Sequence, residues 1–122
     1  MVISKEMESI IQKMQQLEGY VCHGLVNYQL GVSALNETSS IQDESNFFQQ
    51  QGTAIIKTLI SSLGNLNGGY PSKLMVEAEN MTMIISIVND TYFCGLGLKP
   101  GTDPAIAGSV LADMKDAIKL QF

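Results

Sequence analysis

His23 is the only histidine of the chain, so any pairing of a nucleophile with an imidazole base depends on it. It follows Cys22 in a β-rich segment. Adjacent residues of a strand point to opposite faces of a sheet, so the two side chains do not form a catalytic dyad. Cys94 is distant in sequence, and one histidine with two separated cysteines lacks the ligand spacing of a zinc site. We interpret His23 as a structural or surface residue and both cysteines as buried free thiols.

The acidic and glycine-containing segments lack a catalytic or phosphate-binding motif. Glu77 and Glu79 share one face of an alternating strand, roughly 7 Å apart, which is typical of a solvated face. Segments 95–97 and 99–102 contain glycines, but they lack the glycine-rich run followed by Lys-Ser/Thr that binds phosphates. Asp103 would repel an anion from the helix predicted to begin at Pro104. The sequence therefore predicts no catalytic residue, no cofactor and no metal.

Composition and charge restrict the class of protein further. The 122 residues fit a single domain, 1–122. Twelve acidic residues against seven basic ones give a net charge of -5, the opposite of a nucleic-acid-binding footprint. We find neither a signal-peptide pattern nor an apolar run near the ~20 residues of a membrane span, and expect a cytoplasmic protein without membrane insertion. Only 16% of residues are charged, which suggests that a partner covers part of the surface.

Hydrophobic periodicity predicts the order α-β-β-α-β-β-β-α, an α+β fold in which helices cover an antiparallel sheet. Ser4 and Asp103 are suited to cap the first and last helices, and Asn89-Asp90 is suited to a hairpin turn. The predicted elements are a helix before Gly19, strands at 20–26 and 31–35, a polar loop at 36–46, a helix at 47–66, strands at 73–79, 81–88 and 91–98, and a helix from Pro104. The predicted apolar face of the last helix comprises Ile106, Val110, Leu111, Met114, Ala117 and Ile118.

The middle helix has an unusual surface opposite its apolar stripe. Phe47, Ala54, Thr58 and Ser61 follow a heptad-like spacing, and apart from Phe47 they are small. A solvated helix normally carries charged residues there, whereas Lys57 is the only charged residue of this helix. Small residues in a line permit close helix–helix approach. The line therefore indicates a helix packed on both sides, the alternative being a neutral exposed face without a partner.

Short motifs resemble the Roadblock/dynein light-chain family over nearly the whole chain. The segment 76–80, Val-Glu-Ala-Glu-Asn, resembles the strand-to-turn consensus of that family. Asn89-Asp90 falls at its second hairpin turn, and Asp103-Pro104-Ala105 with Gly108 resembles the start of its last helix. The sequence departs from the pattern at Met81, where glycine is common in the family.

The resemblance implies a five-stranded antiparallel sheet sandwiched between helices, with the middle helix on one face and the terminal helices on the other. It implies a homodimer that pairs middle helices and joins third strands edge to edge. It also makes the first and last strands neighbours, which would bring Cys22 close to Cys94. The implied function is a non-catalytic scaffold or regulator of a small Ras-like GTPase or a multiprotein complex. The implied dimer residues are Phe47, Ala54, Thr58, Ser61, Leu74 and Val76, and the implied partner-binding residues are Gln50 and Lys57.

Longin- and profilin-like domains share a similar order of elements and supply the alternative. Such a domain would sense a small ligand or a protein without a GTPase partner. It would need a polar pocket, for which the sequence offers Tyr20, His23, Tyr28 and Tyr92.

Overall fold

The structure, a computed structural model, describes residues 4–34 and 48–121. Its element order confirms the predicted α-β-β-α-β-β-β-α arrangement. The predicted loop at 36–46 and the end of the predicted second strand lie outside the described residues. The elements are helix α1 (Lys5–Gln15), strands β1 (Tyr20–Asn27) and β2 (Val32–Ser33), a π-helical segment (Phe48–Gly52) that continues into helix α2 (Thr53–Asn65), strands β3 (Lys73–Glu77), β4 (Thr82–Ile87) and β5 (Tyr92–Leu98), and helix α3 (Pro104–Gln121).

All five strands form one antiparallel sheet in the order β2-β1-β5-β4-β3. The short β2 and the strand β3 are the two edges, and β4 and β5 lie in the interior. Every residue of β4 is buried, as expected of a strand that is apolar on both faces. The predicted five-stranded antiparallel sheet is therefore confirmed.

Two separate hydrophobic clusters fill the two faces of this sheet. On one face, α1 and α3 contribute Met7, Ile11, Leu111 and Met114, which pack on Leu96 and other strand residues. On the other face, the π-helical segment and α2 cover the second cluster. The members of that second cluster are Cys22, Val26, Tyr28, Phe48, Ile56, Met83, Ile85, Ile87 and Phe93. The sheet is thus sandwiched between one middle helix and two terminal helices.

The cysteines occupy different clusters, so the prediction that they lie close is wrong. β1 and β5 are neighbours as expected, but Cys22 pairs with Gly97 whereas Cys94 pairs with Leu25. Cys22 faces α2 and Cys94 faces the terminal helices. Both thiols are free and buried, and the geometry of a disulfide cannot be met across a sheet.

Local capping follows the sequence closely. The Ser4 hydroxyl accepts a hydrogen bond from the Met7 amide at 3.1 Å. The Asp103 carboxylate accepts one from the Ala105 amide at 2.9 Å. In the β4–β5 turn, the side-chain oxygen of Asn89 accepts bonds from the amides of Thr91 and Tyr92, both at 2.8 Å. These contacts confirm the predicted helix starts and the predicted hairpin turn.

The apolar face of α3 is shifted from the prediction by one position at its first turn. Ile106 is 57% exposed, whereas Ala107 is buried. Ala107 begins the i, i+4, i+7, i+11 series that continues through Leu111, Met114 and Ile118. The assignment of Ile106 to the buried face is therefore wrong. It was based on the large apolar side chain of Ile106, whereas the position of a residue around the helix axis determines which face it occupies.

The π-helical segment that leads into α2 is anchored to the sheet by Phe48. Gly24 and Gly95 pair directly across β1 and β5, and the fully buried ring of Phe48 lies over both of them. A Cβ at Gly24 would come within 2.9 Å of the Cβ of Phe48. Gly52 approaches Phe93 just as closely, since a Cβ there would lie 2.9 Å from the ring. The missing side chains form the notch that fixes this end of the helix.

Candidate interaction surface on helix α2 and strand β3

The outward face of α2 carries the small residues that the sequence singled out. Ala54, Thr58 and Ser61 are all exposed. At 100° per residue they lie opposite Ile56, the fully buried residue of the helix. The structure therefore brings these three residues onto one surface line. Phe47, the fourth residue of the predicted line, lies outside the described residues.

The inner face of α2 is only partly covered by the sheet. Within α2, Thr53 and Ile56 are the buried residues, and Leu66 just beyond its end is 77% exposed. The remaining large apolar residues of the helix are half-buried: Ile55, Leu59, Ile60 and Leu63. A helix that leaves this much apolar surface in partial contact with water is suited to pack against a further element.

Among the strands that the structure describes, β3 forms the edge of the sheet beside this helix. Leu74 and Val76 pair with Ile85 and Met83, which belong to the cluster under α2. Because paired residues share a face, Leu74 and Val76 point to the α2 layer. Val76 is 40% exposed and Met75, on the other face, is 47% exposed. An edge strand with open backbone groups and exposed apolar side chains is a template for strand addition.

Gln50 and Lys57, the residues expected to bind a partner, are also on the surface. Gln50 is exposed in the π-helical segment and Lys57 is exposed on α2. Lys57 lies on the flank of the helix, between the buried side at Ile56 and the small-residue line at Ser61. The two residues are thus accessible to a partner that contacts the start of the helix.

Tyr70 is a residue of this region that the sequence reasoning missed. It stands in the glycine-rich connection between α2 and β3, and its hydroxyl hydrogen-bonds that of Tyr28 at 2.5 Å. The Tyr28 hydroxyl also donates to the backbone carbonyl of Asn89 at 2.6 Å. Burial raises the pKa of Tyr28, and the hydrogen bond with Tyr70 raises it further. The bond ties the start of β3 to the end of β1, and no local sequence signal indicates it.

The four residues proposed for a ligand pocket do not converge. Tyr20 and His23 are joined by a 2.6 Å hydrogen bond between the Tyr20 hydroxyl and His23 Nδ1. Tyr28 and Tyr92 lie at the opposite end of β1, where Asn27 pairs with Tyr92. This agrees with a structural role for His23, which is buried. A polar pocket of the kind that the sensor alternative needs is not formed by these side chains.

A cavity of about 530 Å³ lies where the α1–β1 and β5–α3 connections meet, and none of those four residues lines it. Its lining residues include Leu17, Glu18, Lys99, Asp103 and Ile106.

In the described part of the chain, no group of three or more His, Cys, Asp or Glu residues is arranged to hold a metal ion. None of the described helices combines the length and apolarity needed to cross a bilayer.

Comparison with solved structures defines the class of fold. A Roadblock/LC7 domain from Streptomyces avermitilis superposes with a TM-score of 0.77 at 13% identity, covering 95% of this chain and 93% of that one. MglB of Myxococcus xanthus superposes with a TM-score of 0.78 at 8% identity, covering 93% and 92%. A structure described as MglB with tetrameric arrangement gives 0.71 at 6% identity, covering 99% and 96%. The amino-acid sequence itself matches no protein-family model and no curated protein.

The described residues thus form an α+β sandwich of three layers in which β3 is an edge strand. More particularly, the chain has the fold of Roadblock/LC7 domains, over almost its full length. The superpositions confirm the predicted fold.

Proposed function

We propose that this chain is a non-catalytic homodimeric module that scaffolds or regulates a small Ras-like GTPase. The observation that carries the proposal is that two exposed surfaces, one on α2 and one on β3, lie next to each other on the same side of the sheet. The small-residue line of Ala54, Thr58 and Ser61 lies on α2, and the open strand β3 borders the same hydrophobic cluster through Leu74.

Dimerisation is supported by what each surface would gain. Small side chains on α2 allow a second helix to approach closely, which supports van der Waals packing along the line. Pairing of β3 with another strand satisfies its outward backbone groups and covers Met75 and Val76, which are exposed in a single copy. Self-association also occurs in this fold, because one MglB structure has a tetrameric arrangement.

The GTPase half of the proposal rests on the resemblance to Roadblock-type regulators. In this proposal the exposed start of the middle helix, with Gln50 and Lys57, contacts the GTPase switch regions. A regulator of this kind acts by ordering the switch loops of its partner rather than by supplying reactive groups. We propose a cytoplasmic location, where both buried thiols would stay reduced.

The test has two stages, carried out on the purified protein. Sedimentation equilibrium should first show a dimer at micromolar concentration. The dimer should then be titrated against each small GTPase of its source organism, loaded in turn with GTP and GDP, with binding expected to differ between the two nucleotide states. A monomer would contradict the dimer, whereas a dimer that binds no GTPase in either state would favour a scaffold or sensor role.

A further inference from the structure

Strand β3 carries opposite charges at its two ends. Its sequence is Lys73-Leu74-Met75-Val76-Glu77, with apolar residues between the charged ones. Both Lys73 and Glu77 are exposed, and they share the sheet face of Met75. A strand of this kind is complementary to itself when a second copy runs antiparallel to it.

The hydrogen bonds of β3 fix which backbone groups are available to a second copy. The Ser72 carbonyl accepts from the Ile87 amide at 2.9 Å, and the Ala78 amide donates to the Met81 carbonyl at 2.8 Å. Both residues therefore direct their backbone groups toward β4. Because this direction alternates along a strand, Lys73, Met75 and Glu77 direct their amides and carbonyls outward from the sheet.

Symmetry leaves few registers for two copies of β3. A two-fold axis perpendicular to the sheet keeps both α2 helices on one face, and it must pass through a residue position so that paired side chains share a face. An axis at Leu74 would set Glu77 opposite Pro71, which has no amide hydrogen to donate. An axis at Val76 would set Glu77 opposite Met75 and Lys73 opposite Glu79, which lies beyond the end of the strand.

We propose that two copies pair through β3 with the two-fold axis at Met75. This inference rests on the homodimer proposed above and specifies its register. In this register all three outward-facing residues find partners within the strand. Lys73 of each copy lies opposite Glu77 of the other, and the Met75 side chains meet at the axis. On the other face, Leu74 lies opposite Val76 and joins the two clusters under the α2 helices.

The two charge pairs select both the register of the paired strands and the chain with which β3 pairs. Opposite charges in directly paired positions of an antiparallel ladder stabilise it, and like charges destabilise it. A shift of the register by two residues separates Lys73 from Glu77 and disrupts both pairs at once. A different chain of the same fold would pair at this edge only if its charges were placed in the same way.

Charge reversals test the register by a pattern of loss and rescue. Glu77→Lys and Lys73→Glu should each weaken the homodimer roughly tenfold or more, because each replaces two attractive pairs by two repulsive ones. An equimolar mixture of the two variants should form a heterodimer of about wild-type affinity. The double variant K73E/E77K should form its own homodimer and should not exchange with wild type.

Glu79→Lys is the matched control, because it changes a nearby exposed carboxylate that lies outside the proposed pairs. It should leave the dimer affinity within about twofold, as is usual for an isolated surface charge. Dissociation constants from sedimentation equilibrium and heterodimer fractions from native mass spectrometry give the readouts, with circular dichroism to verify the fold.

The outcomes separate this inference from the dimer on which it rests. A monomeric wild-type chain would overturn both. If the wild type is a dimer and neither Lys73→Glu nor Glu77→Lys weakens it, the homodimer stands and the β3 register is overturned. Sensitivity to Glu79→Lys, without rescue in the mixture of Lys73→Glu and Glu77→Lys, would place the axis at Val76 and overturn the proposal as well.

Discussion

The ring of Phe48 lies directly on Gly95, and a Cβ at that glycine would overlap the ring. The relationship joins the start of the middle helix to an interior strand of the sheet. Since Gly24 supplies the other half of the notch across β1 and β5, the helix is held by one aromatic side chain on a floor of two glycines. This contact positions the surface that we propose for self-association.

Gly95→Ala should therefore destabilise the protein by about 1–3 kcal/mol, the range of an overpacked core. Urea unfolding measures the change. Gly64→Ala is the matched control, because a Cβ there meets nothing within 4 Å and alanine favours a helix by up to about 1 kcal/mol. Combining Gly95→Ala with Phe48→Leu should cost less than the sum of the single changes, since the two residues are in contact. Strict additivity would contradict the notch.

Ala54→Glu should disrupt the proposed dimer by placing a charge in a closely packed helix seam. Light scattering should show a dimer for the parent and a monomer or aggregate for the variant. Ala105→Glu makes the same chemical change at an exposed position of α3, in the layer of the terminal helices. It should leave the dimer intact. Equal loss in both variants would place the interface elsewhere.

The small-residue line could be predicted from the sequence because it depends on helical spacing alone. The same holds for the caps at Ser4 and Asp103, where the donor and acceptor are neighbours in the chain. The identity of β3 as an edge strand came only from the resemblance, because strand order is a long-range property. The contact of Phe48 with the Gly24–Gly95 pair depends on such order as well.

One wrong prediction and one missed contact have the same physical origin. The cysteines were expected to be close because their strands are neighbours. The register instead places Cys22 and Cys94 at different paired positions along β1 and β5 and on opposite faces of the sheet. The hydrogen bond between the hydroxyls of Tyr28 and Tyr70 spans 42 residues of sequence, so no local pattern indicates it. Neighbouring strands can be inferred from topology, whereas register and side-chain contact require the packed structure.

Met75→Cys should produce a disulfide-linked dimer under mild oxidation if the two-fold axis passes through that residue. Directly paired, hydrogen-bonded residues of an antiparallel ladder have Cα atoms about 5.5 Å apart, within the range that a disulfide spans. The native thiols are buried and should not react, which non-reducing electrophoresis of the parent will verify. Glu79→Cys should cross-link much less. Equal cross-linking at both positions would indicate random collision.

The Cys94 thiol should make stability depend on pH in the alkaline range. Burial raises its pKa from 9.0 to about 12. The stabilising contribution is therefore complete below pH 9 and is lost as pH rises toward the folded-state pKa, since only the unfolded chain ionises in between. Relative to Cys94→Ala, the wild type should lose about 1.4 kcal/mol of unfolding free energy per pH unit above 9. Parallel pH profiles for the two proteins would contradict this account.

Tyr70→Phe should test whether the hydroxyl pair holds the start of β3. Tyr28 keeps its bond to the Asn89 carbonyl in this variant, so the expected loss is about 0.5–1.5 kcal/mol, as for one hydrogen bond. Hydrogen exchange should accelerate in 70–77 more than in β4 if the bond orders the edge strand. Tyr92→Phe provides a comparison at a half-buried tyrosine elsewhere in the sheet. Uniform acceleration across the sheet would mean that the bond contributes only to global stability.

Lys57→Glu should weaken binding of a small GTPase while leaving the fold and the dimer unchanged. Lys57 is exposed on the flank of α2, and an isolated surface charge contributes at most about 1 kcal/mol to the fold. Charge reversal at a binding surface acts mainly through the association rate, so the effect should diminish as salt is raised.

Lys119→Glu makes the same change on exposed α3 and should bind like the parent. Association rates measured at two ionic strengths, for both nucleotide states of the GTPase, decide the matter. If Lys119→Glu weakens binding as much as Lys57→Glu does, the partner responds to net charge and the start of the middle helix is not its docking site.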